Sequence, residues 1–185
     1  MEHEMPKRRK LRLDNYDYST TGAYYVTICT QNRKRVLSEI VKSTRAGIDE
    51  STFPDAVGDG ALDVPKVKLT PIGKIVEKYL LSSESISGVN IDQYVIMPDH
   101  IHLIIFLDSK KYDERKSGTS KAPSPTNEML PHVVSTFKRF CNREIGAQIF
   151  QRSYIEHVIR DKADYETKRK YIYENPIRWY YENDN

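Results

Sequence analysis

The sequence predicts an α+β fold, an antiparallel sheet with helices packed on one face, and three observations carry that prediction. Runs rich in aromatic and β-branched residues occupy 23–30, 89–97 and 101–107, as half-buried or buried strands require. Apolar residues recur at helical spacing over 70–83 and from 129 to Gly146. The order is strand, helix, two strands, helix, strand, the β-α-β-β-α-β arrangement of ferredoxin-like (RRM-like) sheets, with one additional helix at the C-terminal end.

The first strand, 23–30, follows a turn at Thr21-Gly22. A small hairpin is expected from 36–41 and 66–69, with a loop or insertion over 43–64, where Gly, Asp, Ser and Pro break any period. In "TPIGKIVEKYLLSS", Thr70 can cap a helix and Pro71 suits its first position, while Ile72, Ile75, Val76, Tyr79 and Leu80 share one face. Pro98-Asp99 reads as a tight turn joining 89–97 to 101–107, and the latter, apolar on both faces, belongs in the middle of its sheet. The polar, Ser/Pro-rich stretch 108–127 reads as a mobile loop. In the second helix Leu130, Val133, Val134, Phe137 and Cys141 face inward, which leaves Lys138, Arg139 and Arg143 outside; Gly146 is its stop. A short strand over 154–159 leads into a third helix from Lys162 to about Glu174, capped by Asp161 and ended by Pro176.

At 185 residues the chain fits a single domain, 1–185. It is 38% hydrophobic, but no apolar run approaches the ~18 residues a membrane helix needs. Nothing apolar follows the basic residues near the start, so no secretory leader is expected. Cys29 and Cys141 lack CxxC spacing and suit a reducing compartment, so the expected location is cytoplasmic. The net charge of +3 is less informative than its distribution. Lys7, Arg8, Arg9, Lys10 and Arg12 form a basic arm within 1–13, and Arg160, Lys162, Lys168, Arg169 and Lys170 crowd a second region. Each cluster alone reads as a solvated face; together they favour a polyanionic partner, nucleic acid first.

His100 and His102 interrupt the most apolar part of the chain, "YVIMPDHIHLII". Residues i and i+2 of a strand share a face and lie about 6.8 Å apart, so both imidazoles can address one ion or substrate. Neutral imidazole is a common transition-metal ligand, and a place just after a turn, at the mouth of the sheet, favours access to a ligand. A structural histidine remains the competing explanation for each. Two nitrogens make an incomplete catalytic set. Asp99 could turn inward to supply a third donor, and the third helix carries Tyr171 and Asn175 at i, i+4 on one face. On spacing alone that pair reads as a surface aromatic and a helix stop before Pro176.

"YYVTICTQNR", "YVIMPDHIHLII", "YIEHVIRD" and "YIYENPIRW", in this order and at these separations, resemble the REP-associated tyrosine transposases, bacterial relatives of the single-tyrosine HUH transposases. The resemblance runs from about Leu11 to Trp179. It implies a metal-dependent single-strand DNA endonuclease and strand transferase acting on palindromic repeats that fold as hairpins. His100-Ile101-His102 then matches the histidine-hydrophobe-histidine motif that binds Mg2+ or Mn2+. Tyr171 matches the nucleophile, which forms a 5′-phosphotyrosine intermediate, and Asn175 the third ligand. Tyr173 lies about 200° around the helix from Tyr171 and cannot share its target. For DNA contacts the arm residues, Lys138, Arg139 and Arg143 suit phosphates, and Trp179 suits base stacking. His157 is a second-rank proton acceptor. The resemblance leaves monomer and homodimer both open, and the long segments 43–64 and 108–127 depart from the compact family pattern.

Two other functions fit the same residues. One is a nucleic-acid-binding module that does not cleave. The other is a small metallohydrolase in which His100, His102 and Asp99 activate a water.

Overall fold

The computed structural model describes residues 21–42, 65–116 and 129–183, side chains of 113–116 excepted. The basic arm, the segment 43–64 and residues 117–127 lie outside the described residues. The elements are β1 (Gly22–Cys29), β2 (Ser38–Val41), β3 (Lys66–Leu69), α1 (Pro71–Ser82), β4 (Val89–Ile96), β5 (His100–Leu107), α2 (Ser109–Lys116), α3 (Met129–Ile145), β6 (Ile155–Ile159) and α4 (Lys162–Asn183). Four strands form an antiparallel sheet in the order β4-β5-β1-β6, and β2 and β3 pair as a separate hairpin. Leaving the hairpin aside, this is the ferredoxin-like order that the alternation of elements predicts, with β5 and β1 inside.

Alternation along the two inner strands divides the molecule into two layers. Tyr24, Val26 and Ile28 of β1 and Ile101, Leu103, Ile105 and Leu107 of β5 face a core completed by Val76 and Leu80 of α1 and by Leu130, Val133, Val134, Phe137 and Cys141 of α3. On the opposite face Val95, Met97 and Ile104 pack against Ile172 of α4, with Tyr25, Tyr165 and Trp179 around them. The helices α1 and α3 therefore share one face, and α4 covers the other.

Local chemistry fixes the ends of these elements. The Thr70 hydroxyl accepts from Gly73 N at 3.0 Å and donates to Val36 O at 2.7 Å, capping α1 and tying it to the segment that leads into β2. Gly146, at φ +76°, closes α3 by donating its N–H to Asn142 O. Asp161 accepts from Asp164 N at 2.9 Å, as a helix cap should. The Pro98–Asp99 turn is held from outside. Thr30 donates to Asp99 O through both N and Oγ1, and Leu37 N donates to Pro98 O.

Two expectations are corrected. The stretch 108–127 is not all loop, because Ser109–Lys116 is helical. Asp108 Oδ1 accepts from Lys110 N at 3.1 Å, and Tyr112, 8% exposed, is buried in the main core, so a cap and one anchor hold a segment with no apolar period. Nor does Pro176 end the last helix, which runs on to Asn183. Proline cannot donate to the Ile172 carbonyl, but tertiary contacts hold the turns beyond it. The Arg35 guanidinium lies 5.1 Å from the Trp179 ring centre and donates to Asn183 Oδ1 at 2.6 Å. Among the described residues no helix is long and apolar enough to cross a membrane.

Gly88 sits at φ +81°, and a Cβ there would lie 2.3 Å from Asp108 O. Gly88→Ala should therefore lower stability by about 2–3 kcal/mol, combining left-handed backbone strain with a backbone clash. Urea unfolding of the variant beside the parent chain checks this.

Candidate active site

The register of β1 on β5 sets Thr27 opposite His102 and Cys29 opposite His100. Tyr25, Thr27 and Cys29 thus share with both histidines the sheet face that α4 covers. Along α4, Lys168, Tyr171, Asn175, Arg178 and Trp179 fall on one stripe at helical spacing. Strand face and helix stripe enclose a cavity of about 600 Å³ lined by His100, His102, Tyr171, Asn175, Arg178 and Trp179 among others.

The imidazoles are 6% exposed each, with ring centres 4.5 Å apart. Burial, the largest influence, lowers both pKa values. For His100 it outweighs the opposing pull of Asp99, and for His102, with added repulsion from His100 and Arg33, it lowers the value to about 3. Both rings are neutral at physiological pH. Asp99 Oδ1 accepts a hydrogen bond from Nδ1–H of His100, leaving Nε2 with its lone pair. The other Asp99 oxygen meets Arg33 Nε at 3.0 Å. His102 Nδ1 lies 2.7 Å from Tyr25 Oη and 2.9 Å from Thr27 Oγ1, so hydroxyls orient that ring. Burial holds the Tyr25 phenol well above its usual pKa.

Tyr171 stands edge-on to His102, ring centres 5.3 Å apart, and is 38% exposed, whereas Tyr173 is 75% exposed. The Arg178 guanidinium lies 5.7 Å from the Tyr171 ring centre, and Lys168 Nζ lies 5.3 Å from that of Tyr25. Asn175 is 6% exposed and lines the cavity, yet its side-chain amide makes no hydrogen bond to a described residue. Among the described residues no three His, Cys, Asp or Glu side chains converge on a metal position. The side-chain atoms that could hold an ion are the Nε2 atoms of His100 and His102 and the Asn175 amide oxygen, which has no partner among the described residues.

The fold thus gathers His100, His102, Tyr171, Asn175 and Trp179, the last with its ring centre 5.9 Å from that of His100. It keeps Arg139 and Arg143 apart, on α3 across the sheet. Lys138 is not outward-facing as the helical spacing predicts. Its ammonium donates to the carbonyls of Gln151 and Ser153 at 2.8 and 3.0 Å and lies 3.3 Å from that of Arg152; burial lowers its pKa to about 8. His157 is spent on Asp164, 2.7 Å away. Sequence reasoning missed Tyr25, Thr27, Arg33 and Arg178. The two strand residues were signalled by their i, i+2 spacing on β1, and Arg178 by its i, i+7 spacing from Tyr171.

A ferredoxin-like sheet carrying His-hydrophobe-His at the start of an inner strand, faced by a tyrosine-bearing helix, resembles the tyrosine transposases as a class. No protein-family model matches the chain. It is 27% identical over 184 residues to an uncharacterized protein of Haemophilus influenzae, spanning 93% of this chain and 89% of that one. A second protein of that organism, named "Putative REP-associated tyrosine transposase", is 24% identical over 169 residues, spanning 90% of this chain and 77% of its own. A solved REP-associated tyrosine transposase bound to a REP hairpin matches with TM-score 0.56 at 18% identity, over 94% of this chain and 74% of that one. The fold is that of a REP-associated tyrosine transposase, and the resemblance carried by the motifs extends to sequence relatives and to structure.

The buried imidazoles predict an acid-sensitive fold. An unfolded histidine takes up its proton near pH 6.5, whereas folded His102 does so only near pH 3. Between these values the unfolded chain binds more protons, so stability falls as the pH drops through the window. His102 alone should cost about 2 kcal/mol between pH 7 and pH 5. Urea titrations across that range should show a shallower pH dependence for His102→Asn than for the parent.

Proposed function

We propose that the chain is a transposase-type enzyme that nicks and rejoins single-stranded DNA at hairpin-forming repeats. The observation that supports this most is the convergence of Tyr171, His100, His102 and Asn175 on one cavity, with two of the three candidate ligands already oriented by partners at Nδ1. The hairpin bound by the structural relative makes hairpin DNA the partner proposed here.

His100 and His102 through Nε2, with Asn175 Oδ1, would hold a divalent ion, Mg2+ or Mn2+. Such an ion draws charge from the oxygens of a scissile phosphate. Tyr171 Oη attacks the phosphorus in line. The tyrosyl P–O bond forms as the P–O3′ bond breaks; the phenolic proton passes to water, and the departing 3′ oxygen takes one from water to leave as a hydroxyl. The tyrosyl ester retains the energy of the original bond, so an incoming 3′-hydroxyl can reverse the step without ATP. Arg178, beside the Tyr171 ring, and Lys168, beside Tyr25, add positive charge where the phenol gives up its proton and the phosphoryl oxygens gather charge. Tyr171 stands beside His102 of its own chain, which supports a tyrosine that acts in cis. The metallohydrolase reading needs Asp99 as a ligand, but both its oxygens are engaged by His100 and Arg33.

End-labelled single-stranded hairpin DNA incubated with Mg2+ or Mn2+ should give a covalent protein–DNA band on denaturing gels. The band should vanish with EDTA and with Tyr171→Phe. Cleavage that survives Tyr171→Phe without an adduct would establish the hydrolase, and hairpin binding without cleavage the binding module. Asp99→Asn, which disturbs the orientation of His100, should weaken Mn2+ binding about 10–100-fold by calorimetry while leaving Tyr171 in place.

A further inference from the structure

Across the sheet from the histidines, the C-terminal half of α3 and the chain that follows it enclose two cavities of about 640 and 600 Å³. Lys138, Asn142, Gln148 and Arg152 line both, so the two form one groove. Arg139 and Arg143 border its first half, Gln31 and Asn32 its second. No Asp or Glu lines either part among the described residues. Arg139, Arg143 and Arg152 make no ion pair with a described residue, whereas acids elsewhere on α3 and α4 have basic partners: Glu144 takes Lys78, and Glu174 takes Arg178. Three guanidinium groups with no counter-charge among the described residues, set along a concave surface, present a polyanion site.

The groove is built rather than incidental. Lys138 does not supply a free cation; it fastens the backbone at Gln151 and Ser153, and so sets the position of Arg152 between them. Asn142 Oδ1 accepts from Ile149 N at 3.1 Å and shapes the opposite wall. The groove and the catalytic cavity approach each other along the chain. Asn32 lines the groove and its neighbour Arg33 lines the cavity; both adopt left-handed backbone, φ 56° and 53°, so the chain turns sharply between them.

From this placement we infer that the α3 groove binds the phosphodiester backbone of single-stranded DNA continuing from the scissile phosphate, with Arg139, Arg143 and Arg152 as its phosphate contacts. This rests on the DNA-processing function proposed above and assigns that substrate a second binding segment outside the reaction centre. The amide side chains that line the groove, Asn32, Asn142, Gln148 and Gln151, suit a single strand better than a duplex, because a single strand leaves its base edges free to hydrogen-bond with them.

Binding is measured by fluorescence anisotropy in EDTA, so that the result does not depend on whether Tyr171 cleaves. The probes are a short single-stranded oligonucleotide, the same oligonucleotide extended at its 5′ or 3′ end, and one extended by a duplex. The wild-type chain should gain affinity on single-strand extension at one end. Arg139→Ala/Arg143→Ala/Arg152→Ala should lose that gain, and the slope of log affinity against log salt should shrink by about 2, at about 0.7 per phosphate contact. The triple Lys variant, which keeps the charges, should retain most of the slope. An unchanged slope and an undiminished gain in the Ala variant, with matching thermal melts, would overturn the groove. A gain seen only with duplex extension would overturn the single-strand assignment.

Discussion

The antiparallel register of β1 on β5 is the constraint on which the rest depends. It sets Thr27 against His102 and Cys29 against His100, and alternation then sends Tyr25, Thr27 and both imidazoles to one face and the aliphatic core to the other. A slip by one residue would bury His100 and His102 against α1 and α3, where apolar side chains dominate, and expose Ile101 and Leu103. The core therefore enforces the position of the site. Thr30 and Leu37 reinforce that register by binding the carbonyls of the Asp99–Pro98 turn, which fixes where the histidine strand begins.

The second requirement is the lid formed by α4. Its sequence has only a weak apolar stripe, and it stays in place through particular contacts. Ile172 packs on Ile104, Tyr165 Oη donates to Asp92 at 2.7 Å, and Arg35 reaches across to Trp179 and Asn183. The helix carries Tyr171 and Asn175 over the imidazoles and helps desolvate them. The neutrality of the histidines and the placement of the tyrosine thus have a common cause.

The sheet was legible because its signals are local. Alternation in "YYVTIC" and "HIHLII" gives faces, Thr70-Pro71 gives a helix start, and Gly146 gives a helix end. The candidate site was legible where spacing maps directly onto geometry, at His100 and His102 on a strand and Tyr171 and Asn175 on a helix. What stayed hidden depends on contacts distant in sequence. Pro176 reads as a stop because the Arg35 contacts that sustain the helix come from residues far upstream. Lys138 reads as exposed because helical phase cannot show that the Gln151–Ser153 backbone lies within reach of its ammonium. Helix α2 has no apolar period and forms around one cap and one buried tyrosine.

The folding of α4 onto its own sheet also sets a stoichiometry. Among the described residues Tyr171 is the accessible phenol beside the histidines, since Tyr173 is 75% exposed and points elsewhere and Tyr25 is engaged with His102. In the proposed reaction each polypeptide can then hold a single DNA end at a time. Joining two ends to new partners requires either two successive turnovers with the first product still bound or two copies working side by side. The number of ends in hand is thus counted by the number of chains.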